Sequence, residues 1–251
     1  MVAYTSDTLG DIPAAKQAIT TFFQKADTSM IMGTDYEALA KIDGKAADSA
    51  TKNEAFKYYL MAINRDTLVE NKAKYANEGL ELAKKLNNKT AAAQLAAALY
   101  KTKKDPSNAD LYNWGYANYQ AGNYKTSDSI FCGMYQSKYP NEIFGYLWCA
   151  RSLQAEDDTT NPKGLAVDAY EKLAQMGRTL PDSAKYKAQV IQAYFYLASY
   201  YNDVKKDKQK AISYMQKVLE VDPTNTSAQS IITQLSKPPK QPATKPKSGT
   251  K

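Results

Sequence analysis

Apolar residues along this chain recur at intervals of three and four, as in Phe56, Tyr59, Leu60 and Ile63, or Ala211, Tyr214, Met215, Val218 and Leu219. That spacing gathers them on one face of an α-helix, and no sustained alternation of period two competes with it. The pattern predicts an all-α chain. Turn signals at Asn87-Asn88, Asp105-Pro106, Gly122-Asn123, Tyr139-Pro140, Asn161-Pro162 and Asp222-Pro223 cut it into helices of roughly 12 to 20 residues. Short turns between helices of this length favour antiparallel neighbours.

One stretch, residues 108–141, shows how two such helices fit together. Leu111, Trp114, Gly115 and Asn118 share a face of the first helix, and Tyr124, Ser127, Phe131 and Met134 share a face of the second. Gly122-Asn123 joins them, Ser107 with Asp110 can cap the first helix, and Pro140 stops the second because it has no N–H to donate. Counted from Asn108, there are large residues at positions four, seven and twenty-four (Leu111, Trp114, Phe131). Small residues stand at eight and twenty (Gly115, Ser127). The small residues let two backbones approach, and the large ones fill the space above and below. This arrangement resembles the tetratricopeptide repeat (TPR), a helix-turn-helix unit of 34 residues. Met134 stands where that repeat usually has alanine, Asn118 where it usually has tyrosine, and the proline comes one place late.

A second copy covers 186–225, with Tyr194, Leu197, Ala198, Tyr201, Ala211, Met215, Val218 and Pro223 in corresponding places once a residue is added to the turn. Between the two, 142–181 fits with a longer turn: Ala150 and Ala166 are the small residues, Trp148, Tyr170 and Leu173 the large ones. Upstream copies are more degenerate. Tyr36, Leu39 and Ala40 face Ala55, Tyr59 and Ala62; Tyr75, Gly79 and Leu82 face Ala91, Leu95 and Ala98. The segment DIPAAKQAITTFFQKAD reads as a second helix without its first, through truncation of a longer chain or degeneration, and TSAQSIITQLSK as a closing helix. The resemblance implies a right-handed superhelix of antiparallel helix pairs: about five repeats, a leading half repeat and a closing helix over residues 1–236.

Charge changes this picture only at the C-terminus. The net charge is +7, but residues 237–251, KPPKQPATKPKSGTK, hold five lysines and no acid, leaving 28 bases against 26 acids in the body. With four prolines and no large apolar residue, that tail is expected to be disordered. The basic runs Lys101–Lys104 and Lys205–Lys208 fall at predicted turns, so no continuous basic stripe for specific nucleic-acid binding is expected. No apolar run is long enough to span a membrane, and the opening MVAYTSDTLG lacks the form of a signal peptide, while the compartment stays open. Cys132 and Cys149 are too few for a disulfide framework or zinc knuckle and read as small packing residues.

Catalytic chemistry finds little to work with. The chain has no histidine, no phosphate-cradling glycine loop and no nucleophile turn, so neither enzyme activity nor a cofactor is expected. Glu156, Asp157 and Asp158 form a tight acidic cluster without the pattern of an EF-hand, and read as a solvated loop rather than a metal site. Resemblance to the TPR family implies instead a protein or peptide partner on the concave face, lined by first helices. In members that hold a peptide's C-terminal carboxylate, lysine, asparagine and arginine recur at positions five, six and nine. Here five and nine are Tyr112 and Tyr116, Leu147 and Arg151, Phe195 and Ser199, so that clamp is absent. What remains is an aromatic strip, Tyr112, Tyr116, Tyr119, Phe144 and Phe195, with Arg151 nearby. Such rings suit an interface, while aromatics at helical spacing more often pack between repeats. The alternative function is a structural spacer, or a subunit of a larger complex that self-associates through an end helix, without a dedicated peptide groove.

Overall fold

The computed structural model describes residues 10–237, and within them every regular element is helical. The proposed tail, apart from Lys237, and residues 1–9 lie outside the described part. The described chain forms two compact units that meet in sequence at Glu156 and Asp157, inside the fourth expected helix pair.

In the first unit a lone helix α1 (Ile12–Lys25) is followed by α2 (Gly33–Gly44) with α3 (Ser49–Arg65), and by α4 (Val69–Lys85) with α5 (Lys89–Thr102). Then come α6 (Asn108–Gln120), α7 (Tyr124–Asp128, running on through Ser129–Tyr135 and Gln136–Lys138) and α8 (Ile143–Glu156). The second unit holds α9 (Val167–Thr179), α10 (Lys187–Ser199), α11 (Lys208–Val221) and α12 (Thr226–Leu235). Several helices start where a short polar side chain takes an orphan N–H: Asp48 accepts from Thr51, Asn88 from Ala91, Asp207 from Lys210 and Asn225 from Ala228. Ser107 and Asp110 form the expected reciprocal cap on α6.

The turn inside three of the pairs is built alike. Asn87, Gly122 and Lys206 adopt positive φ, and the next N–H reaches back to a carbonyl of the preceding helix: Asn88 to Ala83, Asn123 to Asn118, Asp207 to Tyr201. The last of these spans one residue more than the others. That residue is accommodated in a π-helical stretch, Tyr200–Val204, at the end of α10.

Small residues let the helices close up. A Cβ added to Gly115 would stand 2.6 Å from one Phe131 ring carbon and 2.8 Å from another, both on α7. Ser127 is fully buried there and donates to the Gly115 carbonyl at 3.1 Å. Asn118, the departure from tyrosine, is buried too: its amide donates to the Trp114 carbonyl, and its Oδ1 accepts from Asn123. Ala150, Ala166, Tyr170 and Leu173 are buried as their spacing predicts.

Two expectations are corrected here. Met134 was placed on the packing face of α7, yet it is 40% exposed, while the next residue, Tyr135, is buried. The cause is the π-helical stretch Ser129–Tyr135, whose wider turn takes an extra residue and advances the apolar face by one position. Cys132 and Cys149 are not free packing residues but a disulfide, with Cα atoms 4.8 Å apart. They are 17 residues apart, nearly equidistant from the Pro140-Asn141 turn, and an antiparallel hairpin sets such residues side by side.

Candidate functional site

Three of the predicted site residues stand on α6, and the structure gathers them against α8. The Tyr116 and Tyr119 rings meet Trp148 edge-on at 4.7 and 4.9 Å, and Tyr112 accepts a hydrogen bond from the Trp148 indole N–H at 2.9 Å. Phe131 stacks on Trp148 from α7, and the Arg151 guanidinium sits 4.8 Å from the Trp148 ring centre. Trp148 is thus nearly covered, as its packing assignment requires. Phe144 touches the cluster only at its edge, 6.4 Å from Tyr112, and is 44% exposed. Phe195 belongs to the second unit, where it lines a hollow of about 230 Å³ with Met215, Ile231 and Leu235.

Each tyrosine has a different share in packing. Tyr112 stacks on Tyr116 and also touches Phe131 and Tyr135; burial raises its pKa, which the Trp148 N–H only partly offsets. Tyr135, behind it, donates to Asn108, and burial pushes its phenol up to about 12. Tyr116 has one side on Trp148 and the other on open space, with its hydroxyl accepting from Gln120 at 2.5 Å.

That open space is a groove of about 400 Å³ between the first helices α4 and α6, with α5 as its floor. Leu80, Ala92, Ala96, Leu99 and Ala117 give it an apolar base. Equivalent rungs of the two walls line it: Asn77 with Asn113, Leu80 with Tyr116, Lys84 with Gln120. Two of its cations already have partners, Lys84 with Glu81 at 2.7 Å and Lys103 with Asp110 at 2.6 Å. Burial tends to raise the Asp110 carboxyl, but hydrogen bonds from Lys103 and Ser107 outweigh it and hold the pKa down. Asn77 and Asn113 are exposed, with amides that make no hydrogen bond among the described residues. The groove offers an apolar floor, free amides and one aromatic wall, suited to an extended chain with polar backbone and apolar side chains. The sequence pattern pointed to Tyr116 but missed Asn77, Leu80, Lys84 and Gln120. Aligning Gly79 with Gly115, each the small residue of its first helix, would have brought these rungs into register.

The remaining candidates are structural in geometry. Asp157 takes backbone N–H groups of Lys163, Gly164 and Leu165, and Asp158 takes Thr160 and Asn161, so the acidic cluster closes a loop with its oxygens. Among the described residues no group of three metal-ligating side chains comes together. Lys101, expected in a turn, lies in α5 with its ammonium over the Trp114 ring, and Lys205 lies over Tyr200. Among the described residues no helix is long and apolar enough to cross a membrane.

No family model matches the chain, and no curated protein does. Among solved structures, it is similar to the C-terminal part of a TPR repeat-containing protein from Cytophaga hutchinsonii. The identity is 29%, the match covers 92% of this chain and 84% of that one, and the TM-score is 0.56. A tetratricopeptide repeat protein from Parabacteroides merdae is 15% identical over 93% of this chain and 95% of its own, with a TM-score of 0.36. The Cytophaga structure shares the fold; the second adds nothing to that.

Proposed function

Because the chain is a TPR-like helical repeat protein, we propose that it is a non-enzymatic protein-interaction module that holds an extended segment of a partner between α4 and α6, on the concave face formed by first helices. The supporting observation is the groove itself: an apolar floor flanked by two unengaged asparagine amides on equivalent rungs, with Tyr116 closing one side. An extended peptide carries a main-chain donor and acceptor at each residue, which side-chain amides satisfy, while its alternate side chains reach the floor. Repeat proteins of this kind use such surfaces for partners, although fold alone leaves the partner's identity open. Tyr112 and Tyr119 support the groove by fixing α6 against Trp148, on which Arg151 packs from the same helix, and Phe144 is not among the residues that line it.

A photo-reactive amino acid at Gln120 identifies the partner, and a peptide spanning its cross-linked segment is then titrated by fluorescence anisotropy. The double variant Asn113→Ala plus Tyr116→Ala, folded by circular dichroism, weakens binding at least tenfold, about 1.4 kcal/mol. Equal affinity in the folded double variant rejects this groove as the site.

A further inference from the structure

The disulfide is the one covalent cross-link between successive helix pairs in the described chain. Cys132 sits within the π-helical stretch of α7 and Cys149 on α8. The chain has two cysteines in all, and both are used, so neither is left as a reactive thiol. Each is next in sequence to a residue of the aromatic cluster: Phe131 precedes Cys132, Trp148 precedes Cys149, and the two rings stack at 6.3 Å. A π-helical stretch replaces the regular i→i+4 hydrogen bonds with i→i+5 ones, so this part of α7 departs from ordinary helix geometry. Its apolar residues Ile130, Phe131 and Tyr135 are nevertheless buried with little exposure.

We infer that this chain works in an oxidising compartment, where the Cys132–Cys149 bond is closed and staples the irregular second helix of the third pair to α8. Disulfides persist where the surroundings are oxidising, and are removed by glutathione and thioredoxin systems in a typical cytosol. The chemistry is thiol–disulfide exchange with a protein dithiol oxidant in its disulfide form. The Cys132 thiolate attacks one oxidant sulfur and releases the other as a thiol, giving a mixed disulfide. The Cys149 thiolate then displaces the second oxidant sulfur, closing Cys132–Cys149. Two protons leave the chain's thiols, two electrons pass to the oxidant, and the oxidant ends as a dithiol. The bond joins residues 17 apart, and opening it restores chain entropy chiefly to the unfolded state.

The first measurement is made on the protein in the cells that produce it. Cells are quenched in acid and treated with a mass-tagged maleimide, with and without prior reduction. No tag without reductant and two tags after it are expected; two tags without reductant would overturn the compartment inference. The second uses the purified full chain: reduction lowers Tm by roughly 6–12 °C, and the same reductant leaves the double variant Cys132→Ser plus Cys149→Ser unmoved. An unchanged Tm in wild-type protein whose bond is shown open by tagging overturns the staple, and this reading needs no variant to fold. Neither result depends on whether the α4–α6 groove binds a partner.

Discussion

Adding one methyl group at two glycines of the same helical hairpin should change stability in opposite directions. At Gly115 the new Cβ would lie 2.6 and 2.8 Å from Phe131 ring carbons and 3.0 Å from Ile130. Phe131 cannot step aside, since it is fully buried with Tyr112, Tyr135 and Trp148 around it at 5.7 to 6.3 Å. Overpacking of this kind costs about 1–3 kcal/mol, against the gain of up to about 1 kcal/mol that alanine brings to a helix interior. Gly115→Ala therefore loses about 1–2 kcal/mol. At Gly133, in the same α7 that carries Phe131, a Cβ meets nothing within 4 Å. Gly133→Ala gains up to about 1 kcal/mol by propensity alone. Urea unfolding of the two variants side by side, with unchanged slope as the check on the two-state treatment, measures both. In a Phe131→Leu background, where the ring is gone, the cost of Gly115→Ala should shrink by more than half. A Gly115→Ala protein as stable as wild type, or a cost independent of Phe131, would refute the close-approach account.

Three further expectations rest on single features. Lys206 holds a left-handed conformation that Gly122 provides without strain in the equivalent turn, so Lys206→Gly gains about 1 kcal/mol in thermal unfolding, and a loss would show that the turn is not strained. Exposed Met134 tolerates lysine within about 0.5 kcal/mol, whereas Tyr135→Ala costs about 3–5 kcal/mol; equal costs would mean that the π-helical shift of the packing face is absent in solution. Burial tends to raise the Asp157 carboxyl, but the N–H groups of Lys163, Gly164 and Leu165 outweigh it and lower its pKa. A lowered folded pKa gives stability that is present above the unfolded value, about 3.9, and is lost as pH falls through the folded value. The Tm gap between wild type and Asp157→Asn is accordingly constant near pH 6 and closes below about pH 4; a gap that widens in acid would contradict the assignment.

What was legible in the sequence was whatever repeats locally. The Gly115–Ser127–Phe131 contact, the Ser107–Asp110 cap and the Pro140 stop each depend on residues within one pair, so spacing alone reveals them. The π-helical stretch did not show itself, because an extra residue in a wide turn leaves composition and average periodicity almost unchanged. Met134 and Tyr135 simply exchange places. The disulfide does not show in cysteine clustering, because its geometry rests on equal distance from the Pro140-Asn141 turn. The aromatic strip was a stronger signal than the groove for a related reason: rings draw attention wherever they lie, while Asn77 and Asn113 matter only once α4 and α6 are set in register over α5. Tyr116 belongs to both, meeting Trp148 in the aromatic cluster and lining the groove.

That double membership separates two tyrosines that the sequence could not tell apart. Tyr112 and Tyr116 stack on each other, four residues apart on one helix, yet their hydroxyls do different things. The Tyr112 hydroxyl is the acceptor for the indole N–H of nearly covered Trp148, so Tyr112→Phe leaves a buried donor unpaired and costs about 1–3 kcal/mol. The Tyr116 hydroxyl accepts from Gln120, itself exposed, which can turn to water, so Tyr116→Phe changes stability by less than about 0.5 kcal/mol. Binding should show the reverse order. Tyr116→Ala removes a groove wall and weakens the partner peptide severalfold, while Tyr112→Phe, assayed well below its Tm, binds within about twofold of wild type. Differential scanning fluorimetry and anisotropy on the same two variants give both orders. If Tyr112→Phe were the weaker binder while fully folded, the partner would be reading the Trp148 face of α6, and the α4–α6 groove would not be the site.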